Sequence, residues 1–227
     1  AVPETSRAAF EAAIDGGYGI ELDLQLSSDG QAMVFHDYDL ARLTGQSGPI
    51  QMRSAAELAE LTLGNGEGVP TFAEVLALVA GRVPLLVEIK DQDGTLGPDI
   101  GALEAACAAE LASYAGPVAV MSFNPHAIYE MARIAPDIAR GLVTCAFADE
   151  EWALTPAARR AALAEIPDFG ATGSSFISHD REDLDREAVT LLRAAGVPIL
   201  CWTVRGPLQE KQARRVAHNI TFEGYLA

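Results

Sequence analysis

The chain has no run of basic residues and half as many cations as acids: Lys and Arg total 16 against 32 Asp and Glu, a formal charge of -16 at pH 7. Such a surface repels polyanions, which makes nucleic acid and anionic membrane poor partners and leads to the expectation of no nucleic-acid partner. An anionic small molecule would need a local cation to meet it, and that requirement points toward a metal. Cysteine is scarce as well. Cys107, Cys145 and Cys201 are odd in number and sit in apolar contexts, so no disulfide framework follows and buried small hydrophobes are expected. No stretch approaches the ~18 apolar residues of a membrane span, which argues against stable membrane insertion. The given residues contain no signal peptide and open abruptly one step before a helix; a cytoplasmic location is the expectation. Nothing in the composition sets an oligomeric state.

What is present is a pattern of strands alternating with amphipathic helices, the signature of parallel βα units. With 227 residues and 49% hydrophobic content, the chain can bury the core of one domain. A helix is predicted over 6–15, with Phe10 and Ile14 at i,i+4 and Gly16-Gly17 to end it. Strands over 20–26 and 32–36 follow. Their link is far shorter than the dozen or so residues of a parallel crossover, so they form a hairpin. Residues 38–70 are a glycine-punctuated insertion with one short helix near 55–62, opened by the capping box Ser54 and Glu57. Such a segment is equally a wall beside a site or plain connecting structure. A second capping box, Thr71 with Glu74, opens the next helix.

Beyond it, strands over 85–90, 118–123, 140–144, 173–177, 199–204 and 220–226 alternate with helices over 100–114, 125–135, 149–165, 181–195 and 208–218. Counting the hairpin once gives seven parallel strands. A closed barrel of this kind has eight. The eighth is therefore expected just before Ala1.

Ionisable residues gather at strand ends. In Gly19-Ile20-Glu21-Leu22-Asp23-Leu24, side chains alternate faces, so Glu21 and Asp23 share one face and make a candidate cation site. Met33-Val34-Phe35-His36-Asp37 returns beside it after the Ser28-Asp29-Gly30 turn. Val87-Glu88-Ile89-Lys90 places two more ionisable groups on a strand buried on both faces, where each needs a partner. A mutual Glu88 and Lys90 pair is the simplest reading of that segment alone. Taken together, the three segments converge on the C-terminal ends of strands, where barrel enzymes build their sites.

Other conspicuous residues read as structural. His126 and His179 are expected at helix starts, with Asp180 as the N-cap of a helix from Arg181. His218 falls in the last turn of its predicted helix, where a cation suits the dipole, and Trp152 packs within another.

The order of Pro3-Glu4-Thr5, Gly19-x-Glu21-x-Asp23, Asp29-Gly30, His36-Asp37, Pro70-Thr71-Phe72-x-Glu74, Glu88-Ile89-Lys90, Ser122-Phe123 and Trp202-Thr203-Val204 resembles that of the glycerophosphodiester phosphodiesterases. The resemblance spans nearly the whole chain, and residues 38–70 match the insertion that separates this family from the phosphoinositide phospholipases C. It implies an α/β (β/α)8 TIM barrel that hydrolyses a small-molecule glycerophosphodiester to glycerol 3-phosphate and an alcohol. A divalent cation, Mg2+ or Ca2+, would be held by Glu21, Asp23 and Glu88. His36 would be the general acid or base, with Asp37 able to orient it. Lys90 would hold a phosphate oxygen, Trp202 would line the pocket, and Glu4 would support the site from its loop.

The mechanism implied is attack of the adjacent glycerol hydroxyl on phosphorus, giving a cyclic phosphate that water opens, with two histidines exchanging protons. The second histidine belongs to a His-Arg-Gly triplet on the first barrel strand and is expected upstream of Ala1, with the missing strand. Thr5 stands where Asn is usual, Arg205 follows Trp-Thr-Val where Asn is common, and 220–224 departs from the usual last-strand ending. Arg205 is either a contact for an anionic headgroup or a solvated loop charge. Alternatives to the main reading are a lysophospholipase D acting on longer lipids and a catalytically silent barrel that binds a phosphodiester or a protein.

Overall fold

The computed structural model describes residues 2–148 and 152–227. Ser6 caps helix α1 (Arg7–Asp15) by accepting from the Ala9 N–H, and Phe10 is the side chain this helix buries. A Cβ at Gly16 would crowd the Tyr18 ring, and Gly17, at φ 72°, takes the left-handed turn that ends the helix. Strand β1 (Ile20–Leu26) follows. It turns through Ser27, whose hydroxyl donates to Asp29 and accepts from the Gln31 N–H, with Gly30 at φ 81°. Strand β2 (Ala32–Val34) returns antiparallel, Val34 opposite Leu24.

The excursion that follows carries α2 (Ala41–Thr44), a 3-10 turn (Ile50–Met52) and α3 (Ala55–Glu60). It has its own buried core of Met33, Phe35, Leu40, Ile50, Leu58, Leu63 and Val69. Strand β2 therefore serves two cores at once, because Ala32 and Val34 on its other face pack into the barrel. The predicted capping boxes both form: Ser54 with Glu57 on α3, and Thr71 with Glu74 on α4 (Phe72–Val79). Glu67 completes the docking by accepting from the Arg7 and Ala8 N–H groups at the start of α1.

The remaining strands, β3 (Leu85–Ile89), β4 (Val118–Ser122), β5 (Ala139–Thr144), β6 (Phe176–Asp180), β7 (Ile199–Val204) and β8 (Asn219–Phe222), add parallel in the order β2-β1-β3-β4-β5-β6-β7-β8. Between them lie α5 (Ala102–Leu111), α6 (Pro125–Ile134), α7 (Ala157–Ala164), α8 (Glu187–Ala194) and α9 (Pro207–Ala213). Ile20, Leu22, Leu24, Val87 and Ile89 face the helices, where Phe10, Phe72, Val75 and Leu103 cover them. Each such burial contributes about 1.5–3 kcal/mol. The opposite face lines the interior with Leu86, Met121, Val143, Phe176 and Leu200.

The sheet curls into the (β/α)-barrel form that the alternation predicts, with seven parallel strands and β2 antiparallel. Strands β1 and β8 are not paired with each other among the described residues. Their ends nonetheless meet: the Tyr18 ring stands edge-on to Phe222 at 5.1 Å, and its hydroxyl donates to the Ala227 carbonyl.

Several boundaries differ from expectation. The strand expected over 173–177 begins at Phe176, because Gly173 (φ 63°) and Ser174 close a turn on Phe169 and Gly170. Asp180 is the last residue of β6 and not an N-cap; its carboxylate accepts from the Glu182 N–H in a local turn, and the helix starts at Glu187. The helix expected over 149–165 is Ala157–Ala164, with 149–151 outside the described residues and Trp152 before it in a non-helical segment. His218 lies beyond α9, which ends at Ala213, and its Nδ1 accepts from the Ile199 N–H at 2.9 Å. The last strand is the shorter Asn219–Phe222.

Candidate active site

Strand pairing fixes the first cluster. Asp23 stands opposite Glu88 in the parallel β1/β3 register, and the two-residue period brings Glu21 and Lys90 to the same interior face. Glu21, Asp23 and Glu88 each offer a carboxylate oxygen, and these atoms lie within 4.8 Å of one another. Lys90 Nζ sits 2.8 Å from Asp23 Oδ1 and 2.8 Å from Glu88 Oε1, with the three side chains only 12%, 10% and 8% exposed. The simple Glu88 and Lys90 pair is thus present but shared with a second acid, and it leaves Glu21 unmatched.

The electrostatics follow from that imbalance. Burial, reinforced by Asp23 and Glu88, holds the Glu21 carboxyl well above the usual range. Burial also raises Glu88, against the pull of Lys90. For Lys90 burial opposes the charge, but Asp23 and Glu88 outweigh it and keep the ammonium above its ordinary value. Three carboxylates against one ammonium leave a net anionic pocket of hard oxygen donors, which fits a divalent cation such as Mg2+ or Ca2+.

The second cluster grows from the end of the hairpin. The Phe35 N–H donates to the Asp23 carbonyl, and Gln25 donates from Nε2 to the His36 carbonyl at 3.3 Å. Gln92 bonds Gln25, Lys90 and the Leu26 N–H, so one amide pair ties β1, β3 and the backbone of His36 together. The His36 ring, 54% exposed, lies with Nδ1 2.6 Å from Asp37 Oδ1. A charge on that ring would favour ionised Glu88, which places the two clusters within electrostatic reach of each other. Arg42 donates to Asp37 from two nitrogens and also to Glu4, and its guanidinium holds the Asp37 carboxyl below the usual range.

Glu4 therefore reaches the site through Arg42. The residue after it, Thr5, is buried in the left-handed region at φ 61°, a conformation that asparagine tolerates better than a β-branched side chain.

Phe123 just after β4, Phe147 beyond β5, Trp152 and Trp202 on β7 pack together as an aromatic wall. Trp202 stands edge-on to Phe123 at 5.5 Å, Phe123 lies 4.9 Å from Trp152, and Phe147 is 5.0 Å from Trp152. The Trp202 indole N–H donates to the Ser178 carbonyl. Arg205 pairs with Glu223 and receives no place in this wall. His179, expected at a helix start, lies instead in β6, fully buried and bonded to Thr144 Oγ1 at 2.7 Å.

Of the residues singled out in sequence, Glu21, Asp23, Glu88 and Lys90 meet directly, while His36, Asp37 and Glu4 join a chain beside them. Arg42, Gln25 and Gln92 were not singled out. Arg42 lies in a segment without periodicity, and the two glutamines are polar residues beside stronger charges. A polar residue at an inward position of a strand, as Gln25 is, was the available signal.

A profile of the Glycerophosphoryl diester phosphodiesterase family matches residues 1–219. A glycerophosphodiester phosphodiesterase of Caldanaerobacter subterraneus subsp. tengcongensis is 32% identical over 160 residues, covering 66% of this chain and 65% of that protein. Putative glycerophosphodiester phosphodiesterase YhdW of Bacillus subtilis is 35% identical over 103 residues, 42% of each chain. The matched stretches thus span less than two thirds of these relatives' own lengths. In fold, the chain is similar to an Oleispira antarctica phosphodiesterase solved with the product sn-glycerol-3-phosphate, with a TM-score of 0.79 at 24% identity, over 97% of this chain and 87% of that one. A glycerophosphodiester phosphodiesterase from Parabacteroides distasonis gives 0.77 at 23% identity, over 97% and 86%. With the profile running from the first residue into β8, the chain belongs to the glycerophosphoryl diester phosphodiesterase family.

Proposed function

We propose that this chain is a metal-dependent phosphodiesterase that hydrolyses glycerophosphodiesters to glycerol 3-phosphate and an alcohol. The observation that carries the reading is the grouping of three carboxylate oxygens within 4.8 Å beside a histidine whose Nδ1 is engaged and whose Nε2 has no partner among the described residues. The substrate is an anion and the chain carries a formal charge of -16, so binding needs cations concentrated at one place.

Glu21, Asp23 and Glu88 would hold the divalent cation, which when bound offsets charge on the phosphoryl oxygens and lowers the pKa of an attacking hydroxyl. Lys90 already bridges Asp23 and Glu88, and its remaining N–H is the donor for a phosphate oxygen. His36 Nε2 takes the proton from the nucleophilic hydroxyl or returns one to the leaving alkoxide, while Asp37 at Nδ1 stabilises the charged ring in between. Trp202 and Phe123, edge-on to each other, would offer an apolar surface to the substrate.

Glycerol 3-phosphate release from glycerophosphocholine tests the reading. Activity should vanish in EDTA and return with Mg2+ or Ca2+, and His36→Ala should lower kcat by roughly 100-fold or more. Release insensitive to both treatments would sink it.

A further inference from the structure

The bonds around Asp37 form a continuous chain from the excursion to the His36 ring. Arg42, on α2, donates from Nε to Asp37 Oδ2 at 2.6 Å and from Nη2 to Asp37 Oδ1 at 2.7 Å. Its Nη2 also reaches the Glu4 carboxylate. Asp37 Oδ1 in turn lies 2.6 Å from His36 Nδ1. Among the described residues no other side chain bonds the Asp37 carboxylate.

Packing alone does not hold this ring. The His36 side chain is 54% exposed, and an acid and imidazole paired in water hold each other weakly. The two-nitrogen grip is different in kind: a planar guanidinium bonded through Nε and Nη2 removes the rotational freedom of the carboxylate. A fixed anionic acceptor at Nδ1 selects the tautomer with its proton there and leaves the lone pair on Nε2. Gln25 fixes the same residue from below, through its carbonyl. Backbone and ring are then held by separate partners.

We propose that Arg42 is a positioning residue: by clamping Asp37 it keeps His36 in the Nδ1–H tautomer, with Nε2 presented for proton transfer. On this account the excursion is part of the catalytic apparatus, because it delivers the guanidinium. The catalytic consequence rests on the acid/base reading of His36 above, whereas the tautomer does not depend on it.

The test uses the full chain labelled with 15N at histidine. Long-range 1H–15N spectra separate the tautomers of its four histidines, and His36→Gln assigns the relevant signals. In the parent protein His36 should be Nδ1–H. In Arg42→Ala it should become a mixture of both tautomers, and kcat should fall about tenfold or more with KM within about twofold, since binding groups are untouched. Arg42→Lys, which keeps the charge but not the fork, should recover only part of either readout. The Arg42 side chain is half-exposed, so the fold is expected to survive, and an unchanged melting temperature checks this. An unchanged tautomer in Arg42→Ala overturns the proposal whatever happens to kcat. A changed tautomer with kcat intact supports the clamp and overturns the acid/base role of His36 instead.

Discussion

A buried imidazole shows how one residue sets a pH response. His179 has no exposed surface, and burial lowers its pKa against the opposing influence of Asp183. The unfolded chain takes up a proton near pH 6.5 that the folded chain resists, so this residue's contribution to stability is lost as pH falls below about 6.5. Replacing it with Gln, which can still bond the Thr144 hydroxyl, should flatten the dependence of the urea midpoint on pH between 5 and 7. An equally steep dependence in the variant would show that other groups set it. The chemistry-bearing residues were legible in sequence at this scale because charge on an apolar strand is costly and therefore conspicuous: Glu21, Asp23, Glu88 and Lys90 drew notice on that ground, and the convergence of three such segments, with the family resemblance, made them a site. Arg42 and Gln25 did not, since an arginine in an exposed short helix and an amide on a strand are ordinary until a structure shows what they touch.

At the scale of elements, the excursion between β2 and α4 is held by backbone contact as much as by its side chains. Gly68 lies against the Ala59 carbonyl, where a Cβ would overlap backbone, and the Val69 N–H donates to the Leu58 carbonyl beside it. No flexible side chain can yield there. Gly68→Ala should therefore cost about 2–3 kcal/mol and raise amide exchange throughout 40–70 while leaving β3 to β7 protected. Exchange rates unchanged in that segment would mean that the backbones separate more easily than their contact implies. Helix starts with a capping box were legible because the box is a local pattern, as Ser54 and Thr71 show. The segment 181–186 was not: its apolar spacing runs on into α8, and only the carboxylate of Asp180, turned to the Glu182 N–H, and the bonds of Arg186 to Asp183 reveal a turn.

For the whole molecule, the parallel alternation was readable from period and spacing, and the hairpin from a link too short to cross over. What spacing could not convey is how the sheet ends approach each other. Tyr18 makes that approach with an edge-on ring at Phe222 and a hydroxyl bonded to Ala227. Tyr18→Ala should loosen β8 by about 1–2 kcal/mol, seen as faster exchange over Asn219–Phe222 with β3 unaffected. Equal protection of β8 in both proteins would show that its pairing with β7 suffices.

The double duty of β2 carries one more consequence, best put as a rule of parity. Odd positions, Met33 and Phe35, belong to the excursion's core, and even positions, Ala32 and Val34, to the barrel's. Deleting one residue within this strand would hand each core the other's side chains and shift His36 by a place. Removing two would keep the faces in phase and change only reach. The address of the histidine is thus written as odd or even, and both cores check it independently.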